Sequence, residues 1–361
     1  MRRRSCLLLA GATLLLFPLV LEGIVRVRQF KRYGTTDASY YQFVRDPATG
    51  LRIPKPGYEI GGIKVNSRGF RGPEIELPKP TGRIRVAFLG ASTTFCAEAS
   101  TLEATWPDRV VAGLRAAHPE LEFDYVNGGS GGFTLEDSLV NLEQRVAPFE
   151  PDVIVFYEAT NDLVVDTRRL AIQAGLYEHK QKDHSEVGEW WLTYYLIEKN
   201  VLRVLRMFQG GAKLDFDARQ LSRGYDERLR RLVAAAQARA PVVALVTFAI
   251  QIRRDQAPER QRSAAASALF YMPFLDPPRL MDGYAEYNRV LCEVARATGA
   301  VLIEGEETIP GDATHFADTV HLRDPGLALQ AERVLAGLLA APAFRELVAA
   351  RGPSVVGDGK K

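Results

Sequence analysis

Four short blocks of the sequence place residues that can do chemistry at the ends of apolar runs or ahead of a helix. They are Ser92 after "IRVAFLG" (84–90), the glycines of "NGGSGG" (127–132), Asn161 in "ATND" after "DVIVFYEA" (152–159), and Asp318 and His321 in "DTVHL". A serine hydroxyl becomes a good nucleophile when a base takes its proton and a third group orients that base. These blocks therefore supply the parts of an acyl-transfer site, with Ser92 as nucleophile, His321 as base and Asp318 as the orienting carboxylate.

An acyl-transfer site also needs an oxyanion hole. Attack on an ester puts negative charge on the former carbonyl oxygen, and fixed hydrogen-bond donors must stabilise that charge. We expect the backbone N–H groups of Ser92 and Gly132 and the side-chain amide of Asn161 to be these donors. The loss of one such donor typically costs about 3 kcal/mol of transition-state stabilisation.

Three of the four blocks also have another interpretation. Ser92 could cap a helix, the glycine loop could bind a phosphate at a helix N-terminus, and Asn161 could stabilise a turn. The phosphate hypothesis is the weaker one, because "NGGSGG" has neither the GxGxxG spacing nor the lysine of a P-loop. His315 competes with His321 for the role of base, since "DATH" also has Asp-x-x-His spacing.

Short apolar runs alternate along the chain with amphipathic segments, which is typical of a parallel sheet covered by helices. The strand candidates are 84–90, 123–127, 152–159, 241–249 and 299–304, and the helix candidates are 105–118, 134–148, 218–239, 281–298 and 326–340. This alternation predicts a five-stranded, three-layer α/β/α domain. Because the carboxyl ends of parallel strands meet at one edge of the sheet, the four blocks are expected to converge there.

The N-terminal stretch "MRRRSCLLLAGATLLLFPLVLEGIVRVRQFKR" places three arginines before an apolar segment from about Cys6 to Val25. Such a segment is typical of a signal peptide or signal anchor, and the lack of a small-x-small cleavage site favours an uncleaved transmembrane anchor. An amphipathic or buried helix is the alternative. The predicted organisation is an anchor at 1–32, an extended linker at 33–82 that packs on the domain, a catalytic domain at 83–345 with insertions at 163–217 and 250–280, and a tail at 346–361.

The composition is that of a folded globular protein, with 47% hydrophobic and 25% charged residues. The formal net charge is only +2, and basic residues are scattered among acidic ones, which argues against a nucleic-acid partner. The anchor leads us to expect a catalytic domain outside the cytoplasm, in the periplasm or at the cell surface, although basic residues on both sides of the apolar segment leave its orientation open.

Over residues 83–340 the chain resembles the SGNH, or GDSL-type, esterases and lipases, on the blocks "FLGAS", "NGGSGG", "ATND" and "DTVHL". The resemblance implies a flavodoxin-like fold that uses no metal or cofactor, and it assigns the catalytic and oxyanion roles to the residues named above. It favours His321 over His315, because a leucine, a Pro-Gly pair and a helix follow His321 as in the family pattern. The upstream segment "NSRGFRG" is similar to that of membrane-anchored bacterial members.

The chain departs from the family pattern at three positions. Ala91 replaces the usual aspartate of the first block, Ala159 replaces the usual glycine of the third, and Cys96 stands where glycine is common. None of these changes removes a catalytic group.

The sequence thus predicts a membrane-anchored serine esterase that removes a short O-acyl group, such as acetyl, from an envelope glycan or lipid. An O-acyltransferase with the same triad and an inactive glycan-binding or assembly protein are the alternatives. Trp190 and Trp191 are candidates for a sugar-stacking platform or lid, or for the apolar face of an inserted helix. Arg253 is a candidate for binding an anionic substrate, and His315 for shaping the pocket.

Overall fold

The computed structural model describes residues 16–28, 30–31, 42–177, 191–198, 201 and 212–351. The chain divides into two compact units. The larger unit comprises Phe43–Tyr177 and Ala212–Lys361, and the smaller comprises Met1–Gln42 and Glu178–Gly211.

Two short antiparallel hairpins open the larger unit, within the segment predicted as an extended linker. Strand β1 (Phe43–Arg45) pairs with β2 (Arg52–Pro54), and β3 (Glu59–Ile60) pairs with β4 (Ile63–Lys64). Strands of two or three residues give too little alternation to be recognised from sequence. The side chain of Phe70, just beyond them, belongs to the main hydrophobic core.

A five-stranded parallel sheet forms the centre of the larger unit. Its strands are β5 (Ile84–Gly90), β6 (Phe123–Asn127), β7 (Val153–Tyr157), β8 (Val242–Val246) and β9 (Val301–Ile303), in the order β6-β5-β7-β8-β9. All residues of β5, β7 and β8 are buried, as expected for parallel strands with covered faces. The predicted α/β fold with a five-stranded parallel sheet is confirmed, and its strand order is that of flavodoxin-like folds.

Nine helices accompany these strands in the described part of the larger unit. They are α1 (Ser92–Phe95), α2 (Trp106–Ala117), α3 (Leu135–Asn141), α4 (Thr160–Gln173), α5 (Arg219–Gln237), α6 (Pro258–Tyr271), α7 (Pro277–Thr298), α8 (Asp324–Ala340) and α9 (Pro342–Arg351). A π-helical turn at Leu142–Val146 and 3₁₀ turns at Ala147–Phe149 and Glu306–Thr308 complete the regular structure.

Some boundaries differ from the predicted ones for identifiable reasons. The helix predicted at 134–148 is regular only to Asn141, and the segment ends in a 3₁₀ turn that contains Pro148, a residue without an N–H group. Helix α7 begins at Pro277, earlier than predicted, because the Asp276 side chain caps it by accepting the N–H of Arg279 at 2.9 Å.

Both predicted insertions contain regular structure of the larger unit. Helix α4 continues to Gln173, past residue 163, where the first insertion was expected to begin. Helix α6 lies inside the second, and its buried residues are all alanines: Ala264, Ala265 and Ala268. An alanine face gives weak hydrophobic periodicity, so the helix was not predicted.

The described part of the smaller unit contains helical residues 16–28, 30–31, 192–198 and 201. Glu22, on the first of these helices, accepts backbone N–H groups of Leu192 at 3.1 Å and Thr193 at 2.8 Å. Only part of the predicted anchor lies within the described residues. Among those residues no single helix is long and apolar enough to cross a membrane, and α8 with α9 reaches that length and composition only as a pair bent by 73°.

Candidate active site

Ser92 lies at the turn that joins β5 to α1. Strand β5 ends at Gly90, whose φ of +156° is a conformation that residues with side chains rarely adopt. A Cβ at this position would lie 2.3 Å from Thr94 Oγ1 and 2.4 Å from the Tyr157 carbonyl oxygen. Glycine therefore permits the sharp turn that makes Ser92 the first residue of α1.

An imidazole and a carboxylate are aligned behind the Ser92 hydroxyl. His321 Nε2 lies 2.8 Å from Ser92 Oγ, and His321 Nδ1 lies 2.8 Å from Asp318 Oδ2. The other oxygen of Asp318 accepts the backbone N–H groups of Val320 and His321, each at 2.9 Å. The carboxylate is therefore fixed by its own loop while it orients the imidazole toward the hydroxyl.

The competing histidine has a carboxylate of its own. His315 Nδ1 lies 2.8 Å from Asp312 Oδ1, and the His315 carbonyl oxygen accepts the N–H of Arg323. The histidine that the structure brings to Ser92 is thus His321, and His315 belongs to the loop that precedes it.

The electrostatics of the pair suit a general base. Burial alone would lower the pKa of His321, but the hydrogen bond to Asp318 and the charges of Glu98 and Asp318 outweigh it, so the pKa lies above the ordinary histidine value. Burial would raise the pKa of Asp318, but the bond to His321 and its backbone hydrogen bonds bring the pKa below the usual range. Asp318 is therefore ionised wherever the imidazole titrates.

The three predicted oxyanion donors lie at the carboxyl ends of β5, β6 and β7. Ser92 opens α1, so its backbone N–H has no partner within the helix. Gly132, in the loop after β6, has a φ of +91°. Asn161 is the second residue of α4, and its amide nitrogen donates to the Phe133 carbonyl oxygen at 2.7 Å. Among the residues that the structure describes, the second hydrogen of that amide has no acceptor, so it can donate to a ligand.

Side chains that the sequence analysis did not single out tie these strand ends together. Thr94 Oγ1 donates to the Tyr157 carbonyl oxygen at 3.0 Å, and the Asn127 amide donates to the Thr94 carbonyl oxygen at 3.0 Å. The Asn127 side chain also accepts the N–H of Gly129 at 3.0 Å. Because these bonds join neighbouring strand ends, they fix the spacing between the nucleophile and the glycine loop.

Asp162, beside Asn161, anchors the helix that follows the glycine loop. Its carboxylate accepts the N–H of Leu135, the first residue of α3, at 3.0 Å and the Arg228 Nε–H at 3.1 Å. Burial raises the pKa of Asp162 to about 6, although the charge of Arg228 opposes the rise. Asp162 thus holds α3 and α4 together at the site.

Arg71, in the "NSRGFRG" segment, supports the far end of the nucleophile helix. It is fully buried and donates to the carbonyl oxygens of Phe95, Cys96 and Gly62. Cys96, where the family commonly has glycine, closes α1 with a φ of +58°. A residue with a side chain costs about 1 to 2 kcal/mol in this left-handed conformation, and the bonds from Arg71 help to hold it there.

The hairpin of β1 and β2 covers the other unusual position of the first block. Ala91 is buried in a small apolar cluster with Leu51, Ile53 and Phe133. An aspartate here would place a carboxylate among apolar side chains, which is costly without a partner. The hairpin therefore accounts for the alanine beside the nucleophile.

Among the residues that the structure describes, no hydrogen bond joins Arg253, a candidate for substrate binding, to Ser92. The guanidinium of Arg253 donates to the carbonyl oxygens of Ile250, Ile252 and Ile309, so it holds its own loop. Trp190 lies outside the described residues. Trp191 belongs to the smaller unit, where its side chain is partly exposed.

A serine hydroxyl that faces a carboxylate-oriented imidazole, at the carboxyl edge of a parallel sheet, is the arrangement of a serine hydrolase. The comparison with protein families agrees. The chain belongs to the GDSL-like Lipase/Acylhydrolase family, which matches residues 88–329. The prediction of an ester-hydrolysing serine hydrolase is therefore confirmed.

Several solved structures resemble the chain at low sequence identity. One similar solved structure is an acetylxylan esterase of Geobacillus stearothermophilus, with 19% identity, a TM-score of 0.43 and coverage of 73% of this chain and 96% of that one. Another is a lipase/acylhydrolase of Enterococcus faecalis, with 17% identity, a TM-score of 0.43 and coverage of 74% and 96%. No curated protein is similar enough to match the chain.

Proposed function

We propose that the chain is an esterase that removes a short O-acyl group, such as acetyl, from a cell-envelope glycan or lipid. The observation that carries the proposal is the continuous set of contacts from Asp318 through His321 to Ser92, with 2.8 Å at each step. In this arrangement a proton can leave the hydroxyl for Nε2 while the carboxylate stabilises the imidazolium that forms.

The reaction proceeds in two halves. Ser92 Oγ attacks the ester carbonyl as His321 takes its proton, and the negative oxygen accepts from the Ser92 and Gly132 N–H groups and the Asn161 amide. His321 then gives the proton to the departing alkoxide of the glycan or lipid, which leaves an acyl-serine. Water, deprotonated by His321, attacks the acyl-serine and releases the carboxylic acid and free Ser92.

Active-site labelling tests the catalytic assignment. A fluorophosphonate probe should label the full-length protein, and Ser92→Ala should abolish the labelling. His321→Ala should slow it strongly, whereas His315→Ala, which alters the second Asp-x-x-His pair, should leave the labelling rate close to wild type. A wild-type protein that is neither labelled nor active on p-nitrophenyl acetate would favour the glycan-binding alternative.

Acyl chain length and the acceptor are tested together. A panel of p-nitrophenyl esters, from acetate to octanoate, should show the highest kcat/KM for acetate. The same panel with an added sugar acceptor distinguishes hydrolysis from transfer. Release of free acid at a rate that the sugar does not change supports the esterase. Formation of acylated sugar at the expense of free acid would contradict the esterase and favour the O-acyltransferase alternative.

We further propose that the smaller unit attaches the enzyme to a membrane. Large apolar side chains are exposed along both of its described segments: Leu16, Phe17, Leu19, Val20, Ile24, Val27 and Phe30 in the first, and Trp191, Tyr194, Ile197 and Val201 in the second. The acidic group on the first helix, Glu22, is turned inward, where it pairs with Arg26 at 2.7 Å and caps residues 192–193. Such a surface favours lipid over water.

Membrane extraction tests this attachment. The full-length protein should remain in the membrane fraction after alkaline carbonate washing. Replacement of Leu19 and Val20 by lysine should release it, whereas Leu77→Lys, at an exposed apolar residue of the larger unit, should not. Retention of the double variant would contradict the proposed attachment.

A further inference from the structure

The hairpin of β1 and β2 brings a cation to the oxyanion glycine. Its two faces differ: Leu51 and Ile53 are buried against Ala91 and Phe133, while Arg52 between them is exposed. The nearest side-chain atom to an imagined Cβ on Gly132 is Arg52 Nη1, at 4.0 Å. The guanidinium therefore lies beside the loop that supplies an oxyanion donor.

Several contacts hold Arg52 in this position. Ser130 Oγ donates to its carbonyl oxygen at 2.6 Å, which ties the strand to the glycine loop. The guanidinium lies over the ring of Phe43, 4.6 Å from its centroid, and Phe43 packs on Phe95 of the nucleophile helix. Arg52 is thus placed before any ligand binds, which lowers the entropy cost of recognition.

The charge on Arg52 has no ion-pair partner among the residues that the structure describes. The one hydrogen bond of its guanidinium to those residues is a long contact of 3.5 Å to the Gly131 carbonyl oxygen. The residue directly across the hairpin is another arginine, Arg45, whose guanidinium donates to Gly50. Like charges directly opposite each other destabilise a strand pair, and an anion bound at Arg52 would reduce that repulsion.

We propose that Arg52 binds an anionic group, a carboxylate or a phosphate, that the substrate carries near its acyl ester. Three donors are already proposed for the oxyanion, and Arg52 Nη1 lies beside one of them, Gly132, so it is placed to contact a different group of the same substrate. The planar guanidinium matches the two oxygens of a carboxylate or phosphate. The inference rests on the proposed esterase function and names the chemical class of its substrate.

Three aryl acetates with different para substituents test the proposal: 4-acetoxybenzoate and 4-acetoxyphenyl phosphate are anionic, and methyl 4-acetoxybenzoate is neutral. In the full-length protein, Arg52→Gln should raise KM about 10- to 100-fold for at least one anionic ester and leave the neutral ester unchanged. Arg52→Lys, which keeps the positive charge, should retain part of the wild-type preference for the anionic ester over the neutral one. The anionic ester whose KM rises more in Arg52→Gln shows whether the recognised group is a carboxylate or a phosphate.

Controls separate this inference from the proposed function. Arg230→Gln removes one exposed positive charge on α5 and should leave all three substrates unaffected. Hydrolysis of the neutral ester that depends on Ser92 establishes the esterase regardless of Arg52. An equal rise in KM for all three substrates in Arg52→Gln, or no rise for either anionic ester, would overturn the role of Arg52 in anion binding.

Discussion

Gly132→Ala is expected to separate catalysis from folding. The φ of Gly132 is +91°, and a Cβ there would meet only Arg52 Nη1, at 4.0 Å, so the substitution causes no collision. An L-residue in this region costs about 1 to 2 kcal/mol. The loop relieves that cost if the peptide before residue 132 rotates, and the rotation removes its N–H from the oxyanion. The expected result is a fall in kcat of about 10²- to 10³-fold, with a small loss of stability.

A second glycine supplies the matched control. Gly82, in a turn ahead of β5, has a φ of +84°, and no atom would lie within 4 Å of its Cβ. Gly82→Ala therefore introduces similar backbone strain away from the active site. Steady-state hydrolysis of p-nitrophenyl acetate and thermal unfolding would be measured for both variants. We expect similar melting temperatures, with kcat reduced only in Gly132→Ala.

Two results would refute this reasoning. Gly132→Ala with the kcat of the wild type would show that the N–H of residue 132 does not stabilise the transition state. Equal losses of kcat in the two variants would show that general destabilisation, and not a lost donor, limits the rate.

Three other perturbations have defined outcomes. In the proposed mechanism the neutral imidazole of His321 is the base, and its pKa is raised, so kcat/KM should climb with pH through an apparent pKa above that of free histidine. Glu98→Gln removes one of the charges that raise this pKa and should shift the rise in kcat/KM to lower pH; an unshifted pH profile would contradict the assignment. Asp318→Asn should lower kcat about 10⁴-fold with little change in the melting temperature, because the imidazole loses its orienting carboxylate. A variant kcat within tenfold of the wild-type value would contradict this role. Glu158 is buried, and its pKa lies well above the carboxyl range because of burial and the charge of Asp162, so the folded state holds a proton that the unfolded state has lost. Between the ordinary carboxyl pKa and the raised one, this proton should lower wild-type stability by up to about 1.4 kcal/mol per pH unit. Denaturant titrations of Glu158→Gln should show a slope shallower by that amount, and parallel slopes in the two proteins would refute the buried protonated acid.

The sheet and the residues at its edge could be predicted because their signals are local. Apolar runs in β5 and β6 end at the predicted residues, and a parallel sheet leaves one edge at which their loops can meet. The order of the blocks then brings Ser92 and His321 to the same place. The choice between His321 and His315 depended on family resemblance, since both have a carboxylate three residues earlier.

The supporting contacts could not be predicted because they join segments that are distant in sequence. Nothing in the local pattern of "NSRGFRG" indicates that Arg71 reaches the carbonyl oxygens of residues 95 and 96. In the same way, Asp162 pairs with Arg228, which lies beyond the segment that enters the smaller unit. A single sequence shows the residue types at these positions but not the pairing, and the pairing is what fixes the loop geometry.

The nucleophile depends on residues outside the region that matches the family. Helix α1 has only four residues, and so short a helix is not stable by its own hydrogen bonds. Its start is covered by Leu51 and Ile53, and its last carbonyl groups are held by Arg71, all of which precede residue 88, where the family match begins. Residues 43–71, which contain the two hairpins and Arg71, therefore support the nucleophile. Leu51 and Ile53 pack on Ala91, and the buried guanidinium of Arg71 donates to the carbonyl oxygen of Cys96.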